Sequence, residues 1–150
     1  MRSTLERLIP PRSVATGTPN RLEYDQGFFV KGGDGLADIK PIAHLYKTQV
    51  YALARHLGLP DEICSRLPTT DTYSLAQGQD EFYFALPYRS MDLALWAINH
   101  DIDAPELARA LSITPAQAEA VYADIRAKRR TTCYQHLRPQ LVDDVAEAGH

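Results

Sequence analysis

The chain has 150 residues, enough for one compact domain, and its 16 basic against 19 acidic residues leave a formal charge of −3. That balance gives no overall pull toward nucleic acid or anionic lipid; no run of ~18 apolar residues and no secretory signal stand out. Cys64 and Cys133 form no Cys-x-x-Cys pair and belong to no cluster with metal-ligand spacing, which argues against a disulfide framework or structural zinc. Both are expected as free thiols of a cytoplasmic protein.

Met1 to Arg12 is expected as a short arm ending at Pro10-Pro11. Ser13-Val14-Ala15 then reads as a small strand, and Gly17 turns the chain with backbone angles closed to other residues. The stretch Thr16-Gly17-Thr18-Pro19-Asn20 presents hydroxyls and backbone N–H groups suited to a phosphate or another anion. Glu23 follows five residues after Thr18, as a carboxylate able to hold magnesium, a cation that prefers oxygen ligands. As residues alone, the same groups equally describe a solvated surface turn. Glu23 to Asp38 reads as a loop, with Phe28-Phe29-Val30 as core or dimer contact and Gly32-Gly33-Asp34-Gly35 as a tight turn.

A helix is predicted over Leu45 to Leu57, because Tyr46, Val50, Leu53 and Leu57 share one face of a 3.6-residue period. Gly58 fits the position just past its end, and Pro60 blocks continuation. Lys47 lies near the first turn, where its stem can follow the protein while the ammonium reaches a phosphate. A short helix, Asp61 to Leu67, is predicted next; Pro68 stops it before a hydroxyl-rich turn, Thr69 to Tyr73, whose side chains suit helix capping. The aromatics between Phe82 and Tyr88 belong to a core or line a ligand pocket, and Met91 to Ile98 reads as a buried helix.

Two further helices have start signals of their own. Asp103-x-x-Glu106 precedes the first, and Thr114-Pro115-x-Gln117 opens the second, whose apolar stripe is Ala118, Val121, Tyr122 and Ile125. Arg126, Lys128, Arg129 and Arg130 fall in its last turns, where cations complement the helix dipole. Leu141 to His150 is expected as a frayed tail. The pair of helices across Glu106 to Tyr122 also has the outline of a helix-turn-helix, but no arginine or lysine occupies the first turns of the candidate recognition helix.

From Val14 to Thr70 the chain resembles the second half of the ammonia-dependent NAD synthetase family. The resemblance is carried by Gly17-Thr18 with Asn20 and Glu23, by Gly27-Phe28-Phe29-Val30-Lys31, and by Gly33 through Ile39. Pro41-Ile42, Leu45 through Val50, and Pro68-Thr69 continue it, in order and at the family's spacing. It implies an α/β fold of the adenine-nucleotide alpha hydrolase type, a Rossmann-like parallel sheet here truncated and followed by a helical portion over 90–138. The implied activity is ATP-dependent amidation of deamido-NAD through an adenylate, with ammonia as nitrogen donor, magnesium as cofactor and a homodimer as the working unit.

By the same resemblance, Thr18, Lys47 and Thr69 contact ATP, with Lys47 acting on its phosphates during catalysis, and Glu23 is a magnesium ligand. Lys31 and Asp38 hold deamido-NAD. His136 and Arg138 stand in the place of a His-Lys-Arg string that also meets this substrate, with Leu137 in place of the lysine. The region of Asp80 to Tyr88 corresponds to an acidic loop followed by a helix. The family's Ser-Gly-Gly-x-Asp-Ser phosphate loop and first magnesium aspartate are not among these residues, so the chain is expected to carry one wall of the site and not to be active alone. A catalytically inactive remnant or structural partner of the same fold is the alternative.

Overall fold

The computed structural model describes residues 14–66, 68, 83–84, 86–138 and 141–143. The expected N-terminal arm, Ser13, Leu67, the turn around Thr69, Phe82 and the final residues lie outside that set. Six α-helices are assigned among the described residues: α1 (Arg21–Gln26), α2 (Lys47–His56), α3 (Asp61–Cys64), α4 (Tyr88–Asn99), α5 (Ala104–Leu111) and α6 (Pro115–Thr132). Short 3-10 turns cover Asp34–Leu36 and Cys133–His136.

Extended pairing among the described residues is limited to one parallel bridge between Thr16 and Ile39. Gly17 N–H donates to Ile39 O at 2.9 Å and Ile39 N–H to Ala15 O at 3.2 Å. No strand is assigned among the described residues, so the parallel sheet is not seen there, nor is the expected first strand at its described residues Val14 and Ala15. A parallel strand needs neighbours along its length to take up its backbone groups, and residues 14–16 meet one partner over a single step.

Helix α1 corrects the loop expected from Glu23 onward. The Asn20 side chain accepts the Leu22 and Glu23 amides at 2.9 and 3.2 Å, and Glu23 Oε2 accepts the Asn20 amide at 2.9 Å. This reciprocal box satisfies donors that a helix start leaves open. Gly27 closes the helix at φ +73°, and a Cβ there would lie 2.2 Å from Thr132 Cβ, so only glycine suits both the angle and the close passage of α6.

The core lies where α4, α5 and α6 meet, with Leu22 of α1 inserted. Leu22, Met91, Leu95, Leu107 and Ile125 are its large, fully buried members, each contributing about 1.5–3 kcal/mol by leaving water. On α6 the predicted stripe Ala118, Val121, Tyr122 and Ile125 is buried, and the Thr114–Gln117 capping box forms. Asp103 accepts the Glu106 amide at 2.8 Å to start α5. Helix α4 is less uniformly buried than expected: Tyr88, Met91, Asp92 and Leu95 face inward, while Leu93 and Trp96 are 38% and 42% exposed. The ring cluster of Phe28, Tyr83, Phe84 and Tyr88 joins this core.

The stripe expected on α2 is not buried. No residue of α2 is, and Leu57 beyond its end is 66% exposed. The helix is held instead at its start, as described below. Its C-terminal signal is correct, with Gly58 at φ +73°. The predicted helix from Asp61 is a single described turn to Cys64, and both Cys64 and Cys133 are free thiols.

The basic residues of α6 do more than complement its dipole. Arg129 makes two hydrogen bonds to Asp25, at 2.6 and 2.9 Å, and a third to Asn99 at 2.6 Å. Lys128 donates to Asp124 and to the Tyr83 carbonyl. Helix α6 is thereby tied to α1, to α4 and to the segment preceding α4.

Candidate functional site

Two groups of candidate side chains flank α1, which carries Glu23 and Tyr24 in succession. In the first, the Lys47 ammonium lies 3.6 Å from Glu23 Oε1, with the two side chains 18% and 14% exposed. The same ammonium sits 5.4 Å from the centre of the Tyr88 ring, a cation–π placement. Glu23 divides its work: Oε2 closes the helix cap, and Oε1 faces Lys47.

Lys47 is the first residue of α2, and its position is set from outside that helix. Asp92, on α4, accepts the Lys47 amide at 3.2 Å and the Thr48 amide at 2.7 Å. Residue 46 is a tyrosine, which lacks the short side chain that caps a helix start well. The Gln49 side chain accepts the Tyr46 amide at 2.9 Å and completes the turn. Burial pushes the Asp92 carboxyl above the usual aspartate range, against hydrogen bonds from Thr48, the Lys47 amide and the Lys47 charge. A groove of 1120 Å³ opens beside this point, with Tyr46, Thr48, Pro68, Tyr88 and Asp92 among the residues that line it.

The loop before α1 differs from the open anion cradle expected. Gly17 N–H is bonded to Ile39 O, Asn20 N–H to Glu23, and Arg21 N–H to Leu45 O. These amides are therefore not available to a phosphate. Gly17 is required by space instead: a Cβ would come within 2.7 Å of Asp34 O. What the segment presents is Thr18, exposed two residues before the α1 cap.

The second group gathers at the other side of α1. Lys31 donates to the Tyr134 carbonyl at 2.7 Å and lies 5.6 Å from that ring's centre. His136 meets the Tyr24 ring edge-on at 4.8 Å and the Phe29 ring at 5.4 Å, while Tyr24 and Phe29 stack at 5.6 Å. Lys31 and His136, distant in sequence, are thus brought onto one surface with the 3-10 turn Cys133–His136. Arg138 is exposed just beyond it. Asp38 is exposed at the parallel bridge, where Oδ2 accepts the Ala15 amide at 2.9 Å. Thr69 lies outside the described residues.

Asp92 and Tyr88 were not among the expected site residues. An acid inside the otherwise apolar run Met91–Ile98 is the signal that marks Asp92, since a buried carboxylate needs partners. Among the described residues no group of three or more His, Cys, Asp or Glu side chains could enclose a metal. Glu23 would be the ligand that the described residues contribute, which fits magnesium, an ion that commonly keeps waters and shares phosphate oxygens with one or two carboxylates.

Residues 11–132 match the family model described as NAD synthase. The chain is 66% identical over 131 residues to the NH(3)-dependent NAD(+) synthetase of Rhizobium meliloti (strain 1021), covering 87% of the chain and 39% of that protein. It is 60% identical over 134 residues to the enzyme of the same name from Mesorhizobium japonicum, covering 89% of the chain and 42% of that protein. Among solved structures, NMN synthetase from Francisella tularensis superposes with a TM-score of 0.62 at 21% identity, covering 87% of this chain and 47% of that one. The NH3-dependent NAD synthetase from Campylobacter jejuni, in complex with the nitrate ion, gives 0.59 at 20% identity, covering 87% and 46%. These two likenesses speak for the fold, and the chain spans about two fifths of the length of the curated relatives it matches. On the family match over most of its length, the chain belongs to the NAD synthase family.

Proposed function

We propose that this chain forms part of an ammonia-dependent NAD synthetase and brings lysine and carboxylate side chains to ATP and deamido-NAD. In that reaction a nicotinate carboxylate oxygen attacks the α-phosphorus of ATP and pyrophosphate leaves. Ammonia then attacks the carbonyl of the adenylate, loses a proton, and AMP departs to leave the amide. The observation that carries this proposal is the Lys47 ammonium, held between Glu23 at 3.6 Å and the Tyr88 ring. A fixed ammonium stabilises charge that grows on the phosphate oxygens more than it stabilises the resting substrate.

The remaining roles rest on the family resemblance. Thr18 and Thr69 contact ATP, and Lys31, Asp38, His136 and Arg138 hold deamido-NAD. Glu23 would turn Oε1 toward magnesium while Oε2 keeps the α1 cap closed. Bound there, the ion would neutralise phosphate charge and orient the leaving group. The enzyme works as a cytoplasmic homodimer, a reading that rests on the family resemblance.

The test is a product balance in the chain completed with the remainder of the Rhizobium meliloti relative. With ATP, magnesium, ammonium and deamido-NAD, NAD, AMP and pyrophosphate should form in equal amounts. ADP and orthophosphate would contradict the adenylate, and no NAD at all would favour an inactive member of the fold.

A further inference from the structure

We propose that Asp92 is a positioning residue for the synthetase reaction: with Tyr88 one turn earlier on α4, it fixes Lys47 for the ATP phosphates without touching ATP itself. This rests on the phosphate role proposed for Lys47. The geometry is specific. Residues 88 and 92 are four apart and therefore share a face of α4. From that face, the Asp92 carboxylate holds the Lys47 and Thr48 amides at 3.2 and 2.7 Å, and the Tyr88 ring lies 5.4 Å from the Lys47 ammonium. One helix thus grips both ends of the same residue.

The arrangement matters because, among the described residues, α2 has no other deep anchor. None of its residues is buried, and the residue before it cannot cap it well. The direction in which Lys47 leaves the helix is consequently set by α4. Asp92 is 5% exposed, and a carboxylate that deep is tolerated only with its acceptor sites used. The first two amides of α2 are spent on it, so a phosphate approaching this helix start meets the ammonium and not the backbone donors. That assigns the phosphate interaction to one side-chain charge, whose aim depends on Asp92.

The experiment uses the completed synthetase and a double-mutant cycle between Asp92→Asn and Lys47→Ala, read as steady-state kinetics in ATP. Asparagine keeps the shape and one acceptor oxygen. Asp92→Asn should lower kcat roughly 10–100-fold, the scale expected for misplacing a charged group by about 1 Å, with KM for deamido-NAD changed less than about twofold. In the Lys47→Ala background the same substitution should cost less than about twofold, because two groups that act as a unit are not additive. Gln49→Ala removes the other cap of α2, so it should lower the melting temperature yet leave kcat within about twofold. Should Asp92→Asn fail to fold, Tyr88→Leu replaces it in the cycle with the same expectation of silence in the Lys47→Ala background.

Full, independent losses from Asp92→Asn and Lys47→Ala would overturn this inference alone and leave the role of Lys47 standing. Equal losses of kcat from Gln49→Ala and Asp92→Asn would also overturn it, since any fraying of α2 would then suffice. Unchanged turnover in Lys47→Ala would overturn both the phosphate role and the inference built on it.

Discussion

Arg129→Ala should destabilise the chain by about 2–3 kcal/mol, a large effect for a residue on the third of α6 farthest from its start. Arg129 is one-third exposed, but its partner Asp25 is only 11% exposed, and the two Asp25 contacts are at 2.6 and 2.9 Å with a third bond to Asn99 at 2.6 Å. A hydrogen bond to a charged group contributes about 1.5–3 kcal/mol when shielded. Solvent access on the arginine side discounts the pair toward the lower end of the buried range. Part of the loss is recovered because Arg21 remains 3.7 Å from Asp25. For a domain of this size the expected loss corresponds to roughly 4–12 °C in melting temperature. Urea denaturation followed by far-ultraviolet circular dichroism would measure it, and a cycle with Asp25→Asn should show a coupling of at least about 1 kcal/mol. Arg129→Lys should recover less than half, because a single ammonium cannot reproduce the fork. A loss below about 0.5 kcal/mol, or a coupling indistinguishable from zero, would refute the idea that this pair locks α6 onto α1.

Gly27→Ala should cost at least about 2 kcal/mol, since alanine at φ +73° is strained and its Cβ would meet Thr132; a urea melt within about 0.5 kcal/mol of the parent would contradict the packing. Glu23→Gln should keep the α1 cap, because glutamine serves equally in a capping box, yet raise the magnesium needed for half-maximal turnover of the completed enzyme about tenfold or more. An unchanged magnesium dependence would remove Glu23 from the metal. Because burial raises the folded-state Asp92 carboxyl, the native chain binds that proton more tightly than the unfolded chain does. Its contribution is therefore fully present below the ordinary aspartate value of 3.8 and is lost as pH rises through the raised native value. The stability of the parent relative to Asp92→Asn should decline across that window and then level off; a difference that grew with pH there would contradict the direction.

Local chemistry was legible and long-range partnership was not. Thr114-Pro115-x-Gln117 and the stripe from Ala118 to Ile125 announce α6 because caps and period act within a few residues. Gly58 likewise ends α2 where expected. Asn20-x-x-Glu23 is the same kind of signal, yet its acid drew attention as a metal ligand and the helix it caps was missed. The apolar stripe of α2 misled, because periodicity shows that a face is apolar and not that anything covers it. The parallel pairing of Thr16 with Ile39, the Arg129–Asp25 lock and the Asp92 grip on Lys47 join residues from 23 to 104 positions apart. Such pairs depend on how helices pack, which no single segment encodes. In the site, Lys31 bonds the Tyr134 carbonyl while His136 packs on Tyr24 and Phe29, so both lie at the Cys133–His136 turn, whereas the Gly17 and Asn20 amides of the expected anion cradle are already bonded.

The most direct measurement is turnover against dinucleotide binding in the completed synthetase carrying Lys47→Ala. The phosphate role proposed for the ammonium that lies 3.6 Å from Glu23 predicts a loss in kcat of about 100-fold or more, with the dissociation constant for deamido-NAD changed less than about threefold. Equal losses in turnover and in deamido-NAD binding would contradict that role for Lys47.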